Sequence, residues 1–269
     1  MNEDMNKKVA VVTGARSGIG RETALMLSKE GYKVYDFSRH DGALNGVIHI
    51  TADVTDTVSI QKAFSAVLEK EKRLDLLVTC AGMGVSGAVE FSPENEMRRQ
   101  FEVNLFGTIN TVQAIIPFMR KAGHGRIICI SSVAGVYSIP YQTYYSASKA
   151  AINSFVDGLT NELRQFGVSI CAVMPGDIKT GFTDARHKVC DGDDIYGGRI
   201  SKSVASMEKD ERNGMSPEQM ADFIVKIAEK KRIKPLYTAG AMYKALVFLS
   251  RILTHNAVVR LVGKLYNGK

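Results

Sequence analysis

Seven short apolar runs rich in β-branched residues alternate with longer stretches of helical periodicity along most of this 269-residue chain. The runs fall at residues 8–13, 33–37, 47–51, 74–80, 125–131, 168–174 and 233–238. They are almost continuously apolar, the signature of parallel strands covered on both faces. Helical patterns lie between them at 18–30, 58–71, 94–120 and 143–166. Such alternation predicts an α/β fold, a single doubly wound parallel sheet of Rossmann type with helices on both faces. One domain is expected over residues 1–269. Another helix is expected after Ser216, with Ser216 as N-cap, Pro217 in the first position and Gln219 completing a capping box.

Two segments stand apart from this alternation. Residues 179–214 are polar, rich in Gly and Asp, and read as irregular; so long an insertion in a compact domain suggests a lid over a substrate. Residues 240–267 form a C-terminal helical extension. Its apolar residues, interspersed with Lys244, Arg251, Arg260 and Lys264, suit either helices packed on the core or on another subunit, or an interfacial helix touching a membrane.

The first run leads straight into a glycine-rich turn. Val9–Thr13 is followed by Gly14, Arg16, Ser17, Gly18, Ile19 and Gly20, and then by a helix. A strand, a tight glycine turn and a helix N-terminus together present free N–H groups and a positive dipole end to a pyrophosphate. A dinucleotide is therefore expected. The net charge of +7, from 35 Lys and Arg against 28 Asp and Glu, suits an anionic ligand or a dispersed basic surface. The bases form no block resembling a nucleic-acid-binding tail, so no nucleic-acid partner is expected.

The second strand sets the choice of cofactor. An acid at its end would hydrogen-bond both ribose hydroxyls and repel a 2′-phosphate. Alignment from Gly31 puts Ser38 there with Arg39 next, and Arg16 in the turn adds a second cation. A hydroxyl beside guanidinium groups favours NADP(H). Asp36, two residues earlier, would select NAD if the register differed by that much.

Tyr145 and Lys149 stand one helical turn apart on one face. A phenol ordinarily titrates near ~10, and a neighbouring ammonium favours the phenolate, so the pair can act as general acid and base. Ser132 directly follows the run at 125–131 and precedes Tyr145 by 13 residues. Ser131 and Tyr144 are the competing neighbours. The four cysteines, Cys80, Cys129, Cys171 and Cys190, form no C-x-x-C pair, and no His lies at ligand spacing, so no metal is expected. Three of them fall in or beside strand-like runs, which fits buried free thiols and a reducing, cytoplasmic setting. Residues 1–8 are polar without the apolar stretch of a secretory leader, and no run of 18 apolar residues suggests a membrane span.

The Gly14-x-x-x-Gly18-x-Gly20 spacing after Thr13, the Ser132, Tyr145 and Lys149 set, and Asn104 within Val103–Gly107 resemble the short-chain dehydrogenase/reductase family over about residues 7–240. The resemblance implies that Tyr145 exchanges a proton with the substrate oxygen, Ser132 hydrogen-bonds that oxygen, Lys149 lowers the Tyr145 pKa and holds the nicotinamide ribose, and Asn104 supports a water linking Lys149 to solvent. It further implies adenine contact at Asp53 and Val54, close cofactor approach at Ala81 and Gly82, and nicotinamide contact at Pro175, Gly176, Ile178 and Thr180. Dimers or tetramers are usual in that family, with helices 94–120 and 143–166 as contact faces. The chain departs from the pattern at Thr79 and Cys80, where the family carries two amides.

The C-terminal extension is similar to the hydroxysteroid and retinol dehydrogenase branch. It implies hydride transfer between NADP(H) and a bulky apolar alcohol or ketone such as a hydroxysteroid. Met83, Val85, Val136, Tyr141, Met174 and Phe182 are expected to line its pocket. A 3-ketoacyl thioester reductase and a non-catalytic NADP(H) sensor are the alternatives.

Overall fold

A computed structural model describes residues 7–266; residues 1–6, which hold most of the polar N-terminal stretch, and 267–269 lie outside the described residues. Nine strands alternate with ten α-helices among the described residues. In chain order these are β1 (Val9–Thr13), α1 (Gly18–Lys29), β2 (Lys33–Ser38), β3 (Val47–Thr51), α2 (Thr57–Glu71), β4 (Leu76–Thr79) and β5 (Val85–Ser86). There follow α3 (Glu94–Phe101), α4 (Gly107–Ala122), β6 (Gly125–Ile130), α5 (Thr143–Arg164), β7 (Val168–Met174), α6 (Phe182–Ala185) and β8 (His187–Lys188). The chain ends in α7 (Arg199–Arg212), α8 (Pro217–Ala228), β9 (Leu236–Thr238), α9 (Ala241–Ile252) and α10 (His255–Tyr266).

The seven expected strands form one sheet in the order β3-β2-β1-β4-β6-β7-β9, all parallel. The order reverses between β1 and β4, the topological switch point where ligands sit in such sheets. Alternate residues of each strand feed opposite layers. Val9 and Val11 face α2, α4 and α5, packing with Phe64, Ile115 and Ile152. Ala10 and Val12 face α1 and α8, packing with Leu27, Met220 and Ile224. Burial on both faces explains why these strands read as unbroken apolar runs. The α8 start is the expected capping box: the Gln219 N–H donates to Ser216 Oγ at 3.2 Å, and the Ser216 N–H donates to Gln219 Oε1 at 3.1 Å.

Three differences from the sequence reading have local causes. The helix expected over 94–120 is interrupted by a π-helical turn, Glu102–Phe106, which contains Asn104. Such turns widen the helix and free backbone groups, often at functional sites. Second, residues 179–214 are not irregular: they hold α6, β8 and the fourteen-residue α7. α7 buries Ile200, Ser203, Val204 and Met207 at helical spacing, while charged residues elsewhere mask the stripe. Its N-cap, Gly198, supplies no side-chain cap, so the sequence carries no start signal. Third, β5 and β8 pair as a separate two-stranded ribbon, too short to register as periodicity. The C-terminal extension is helical, and Val247 of α9 and Val262 of α10 pack with Val133, Tyr137 and Met174 just beyond the sheet.

Candidate active site

The ends of β1, β2, β4, β6 and β7 open into one cavity of about 1250 Å³. Every residue expected to touch a cofactor lines it: Gly14, Arg16, Ser17, Gly18, Ile19, Gly20, Ser38, Arg39, Asp53, Val54, Ala81, Gly82, Tyr145, Lys149, Pro175, Gly176, Ile178 and Thr180. Ser132 joins them. Asn104 lies beneath, fully buried.

At one end the chain leaves β1 through Gly14 at φ 68°. A Cβ there would stand 2.9 Å from Ala81 Cα, so the turn and the loop after β4 meet backbone to backbone. The Thr13 hydroxyl ties the same loop down, accepting the N–H groups of Cys80 and Ala81 at 3.1 Å each. Thr13 thus supports the loop where the chain carries Thr79 and Cys80. Ser17 caps α1 without a side-chain bond, leaving the first-turn N–H groups directed at the cavity. A turn that leaves no room for a Cβ at Gly14 or Gly20, a bare helix N-terminus and the cations Arg16 and Arg39 fit a dinucleotide phosphate.

Asp36, two residues before the end of β2, is held within the scaffold. It is 2% exposed and does not reach the cavity. Its Oδ1 accepts the Ala15 N–H at 3.0 Å and the Ser38 hydroxyl at 2.5 Å, and its Oδ2 pairs with His49 Nδ1 at 2.9 Å. The carboxylate supports the turn from below. Ser38, at the end of β2, and Arg39, just after it, stand at the cavity wall. Asp53 sits beside them: burial raises its pKa, but hydrogen bonds from the Thr55 N–H and hydroxyl and the charge of Arg39 hold it below the ordinary value.

At the other end Ser132 stands beside Tyr145, and the Ala134 N–H donates to Ser132 Oγ at 3.1 Å. Lys149 Nζ lies 5.7 Å from the Tyr145 ring centroid and donates to the Ile130 carbonyl at 2.9 Å. Burial dominates both titrations. It pushes the Tyr145 phenol up to about 12, against lowering by the Ser132 hydroxyl and the Arg186 charge. It pushes the Lys149 ammonium down to about 8, against raising by Cys80 and Cys129. The phenol therefore lies above its ordinary value, with burial as the largest cause. Of the competing neighbours, Ser131 also lines the cavity but its Oγ donates to the Lys149 carbonyl at 3.0 Å, and Tyr144 does not line the cavity. Asn104 brackets the loop after β4, accepting the Met83 N–H at 2.8 Å and donating to the Met83 carbonyl at 3.0 Å.

Of the apolar residues expected around the substrate, Met83 and Phe182 line the cavity. Val85 and Met174 are buried in the core, and Tyr141 stacks edge-on with Tyr196, ring centroids 6.1 Å apart. Among the wall residues that escaped the sequence reading are Asp177, Arg186, Glu211, Tyr243 and Tyr266. The buried Arg186 guanidinium pairs with Glu211, which also accepts the Thr183 hydroxyl at 2.7 Å. Tyr243 donates to Asp177 and packs against Gly176, where a Cβ would fall 2.1 Å from its ring. Burial raises the Asp177 pKa, and no Lys or Arg pairs with its carboxylate among the described residues. These contacts join residues tens of positions apart, so only the acid following Pro175 and Gly176 gave a local hint.

The family model for short chain dehydrogenase matches residues 8–190, and the chain belongs to that family. It is accordingly an oxidoreductase of a family that uses nicotinamide cofactors. It is 40% identical over 230 residues to a 3-ketodihydrosphingosine reductase of Bacteroides thetaiotaomicron, covering 84% of this chain and 86% of that one. It is 33% identical over 267 residues to a probable short-chain type dehydrogenase/reductase of Helicobacter pylori, covering 94% and 97%. A short-chain dehydrogenase from Streptomyces avermitilis superposes with a TM-score of 0.84 at 28% identity, covering 98% and 96%. Relatives of known structure hold either cofactor. ElxO with NADP bound matches with a TM-score of 0.75 at 25% identity, covering 89% and 99%. A Burkholderia phymatum enzyme in complex with NAD matches with 0.79 at 26%, covering 96% and 95%.

Proposed function

We propose that the protein reduces the ketone of a long-chain amino ketone of the 3-ketodihydrosphingosine type, using NADPH. The observation that carries this reading is the position of the Ser132, Tyr145 and Lys149 cluster. Its cavity adjoins an apolar chamber of about 690 Å³ between α9 and α10, and the two share Tyr137, Asp177, Tyr243 and Tyr266 as walls. The chamber suits a flexible alkyl chain, and the Bacteroides thetaiotaomicron relative is named for such a substrate. A linear ketone therefore replaces the steroid nucleus expected from the C-terminal sequence.

NADPH would lie with its phosphates on the glycine turn, its 2′-phosphate at Ser38, Arg39 and Arg16, and its adenine by Asp53 and Val54; bound there, it supplies the hydride. Ala81 and Gly82 would back it at mid-length, and Pro175, Gly176, Ile178 and Thr180 at the nicotinamide end. Tyr145 holds its proton at neutral pH, the state a reduction requires, and donates it to the carbonyl oxygen as charge builds there. Ser132 donates a hydrogen bond to the same oxygen. Lys149, one turn away, stabilises the phenolate that remains and holds the ribose. Asn104 supports proton return to Lys149 from solvent. The segment 179–214 serves as a lid, tied to the site wall by Arg186 and Glu211.

Asp177 would take the substrate ammonium, because it is a carboxylate at the junction of the two cavities without a protein cation as partner. Asp177→Asn tests this. It should raise KM for the amino ketone by about 10- to 100-fold, the scale of a charged hydrogen bond, and leave an uncharged ketone of equal length nearly unchanged. Equal losses on both substrates would remove the ammonium assignment.

A further inference from the structure

The net charge of this protein resides at one end of the chain. Residues 230–269 contain nine Lys and Arg and no Asp or Glu; residues 1–229, with 26 bases against 28 acids, net −2. Lys244 and Arg251 on α9, and Arg260 and Lys264 on α10, are all exposed, and none pairs with a carboxylate among the described residues.

The same two helices carry most of the exposed apolar bulk. Met242, Phe248 and Ile252 of α9 are 62%, 65% and 65% exposed, and Val259 and Leu265 of α10 are 56% and 60% exposed. Their opposite faces already pack inward through Val247 and Val262. α9 is thus apolar around most of its circumference, as a helix buried on all sides would be, yet half of it faces outward. An exposed apolar patch of this kind marks a contact surface.

We propose that the outer face of the α9–α10 pair docks on an anionic lipid bilayer. Apolar side chains framed by unpaired bases suit the boundary between acyl chains and acidic headgroups. A second copy of the chain suits it less. A two-fold contact through this face would bring the bases of the two copies together, and residues 230–269 supply no carboxylate to offset them. The chamber between the helices adds a second argument. Met242, Leu249, Leu261 and Leu265 belong at once to the outer face and to its wall, whereas Tyr243 and Tyr266 open it to the catalytic cavity. A long-chain ketone would enter from the bilayer without crossing water; that passage rests on the proposed substrate, and the docking does not.

Co-sedimentation of the full chain with phosphatidylcholine vesicles, with and without phosphatidylglycerol, tests the docking independently of activity. Binding is expected with phosphatidylglycerol alone, and it should weaken as salt rises. Arg251→Ala and Arg260→Ala should each weaken it by about fivefold, the equivalent of one interfacial charge. Phe248→Ser with Ile252→Ser should abolish it and leave turnover of a short soluble ketone unchanged, because both side chains lie outside the catalytic cavity. No binding to anionic vesicles would overturn the proposal, as would binding unaffected by either set of substitutions. A solution dimer that the Phe248 and Ile252 substitutions dissociate, without vesicle binding by the wild type, would assign the face to self-association instead. If docking holds and no long-chain ketone is reduced, the substrate reading fails and the membrane reading stands.

Discussion

Asp36 Oδ1 accepts the Ala15 N–H at 3.0 Å, which turns the acid of β2 beneath the glycine-rich turn and away from the cavity. The one β2 carboxylate that would repel a 2′-phosphate is thereby committed to the scaffold. Asp36→Ala would leave Ala15, Ser38 and His49 short of an acceptor in a buried place. Unfolding measurements should register a loss of about 1–3 kcal/mol for each buried donor left unpaired. The ratio of NADPH to NADH efficiency should stay close to that of the wild type. A large swing toward NADPH in this variant would show that Asp36 does act on the ribose.

Arg39 carries the opposite expectation. It lines the cavity next to Asp53 and adds a guanidinium where the proposed 2′-phosphate would lie. Arg39→Ala should raise KM for NADPH by about 10- to 100-fold and change KM for NADH little. Steady-state kinetics with both cofactors checks this. Parallel increases would make Arg39 a general support of the adenosine end.

Lys149 should tax stability in a pH-dependent way. Burial places its folded pKa near about 8, below the ordinary lysine value, so between those two values the unfolded chain binds more protons than the folded one. Stability contributed at this site therefore rises as pH increases across that window. Below pH 8 the folded state carries the full cost of a buried ammonium. Lys149→Met should be more stable than the wild type at neutral pH, and the advantage should shrink as the solution approaches pH 10. Urea unfolding across that range measures it. A variant less stable than the wild type at neutral pH would contradict the assignment.

Much of this architecture is written in local pattern. β1, β2, β4, β6 and β7 are buried on both faces, and each therefore appears as an apolar run whose end marks a cavity residue. The Ser132, Tyr145 and Lys149 set is legible because one helix and one strand end fix its spacing. What escaped is tertiary. α7 exposes a charged face that hides its apolar stripe and begins at an uncapped glycine. Arg186 meets Glu211, and Asp177 meets Tyr243, across long stretches of chain that no periodicity connects. The orientation of Asp36 is likewise a matter of which sheet face its side chain takes, and alignment from Gly31 could indicate only the register.

Turnover of 3-ketodihydrosphingosine, followed by loss of NADPH absorbance with Tyr145→Phe as the control, tests the central claim most directly. The wild type should oxidise NADPH in step with ketone reduction. Tyr145→Phe should bind NADPH as tightly but lose about 10²- to 10⁴-fold in kcat, the usual contribution of a positioned general acid. Undiminished turnover in Tyr145→Phe would contradict the catalytic assignment, and absence of turnover by a wild type that binds NADPH would contradict the proposed substrate.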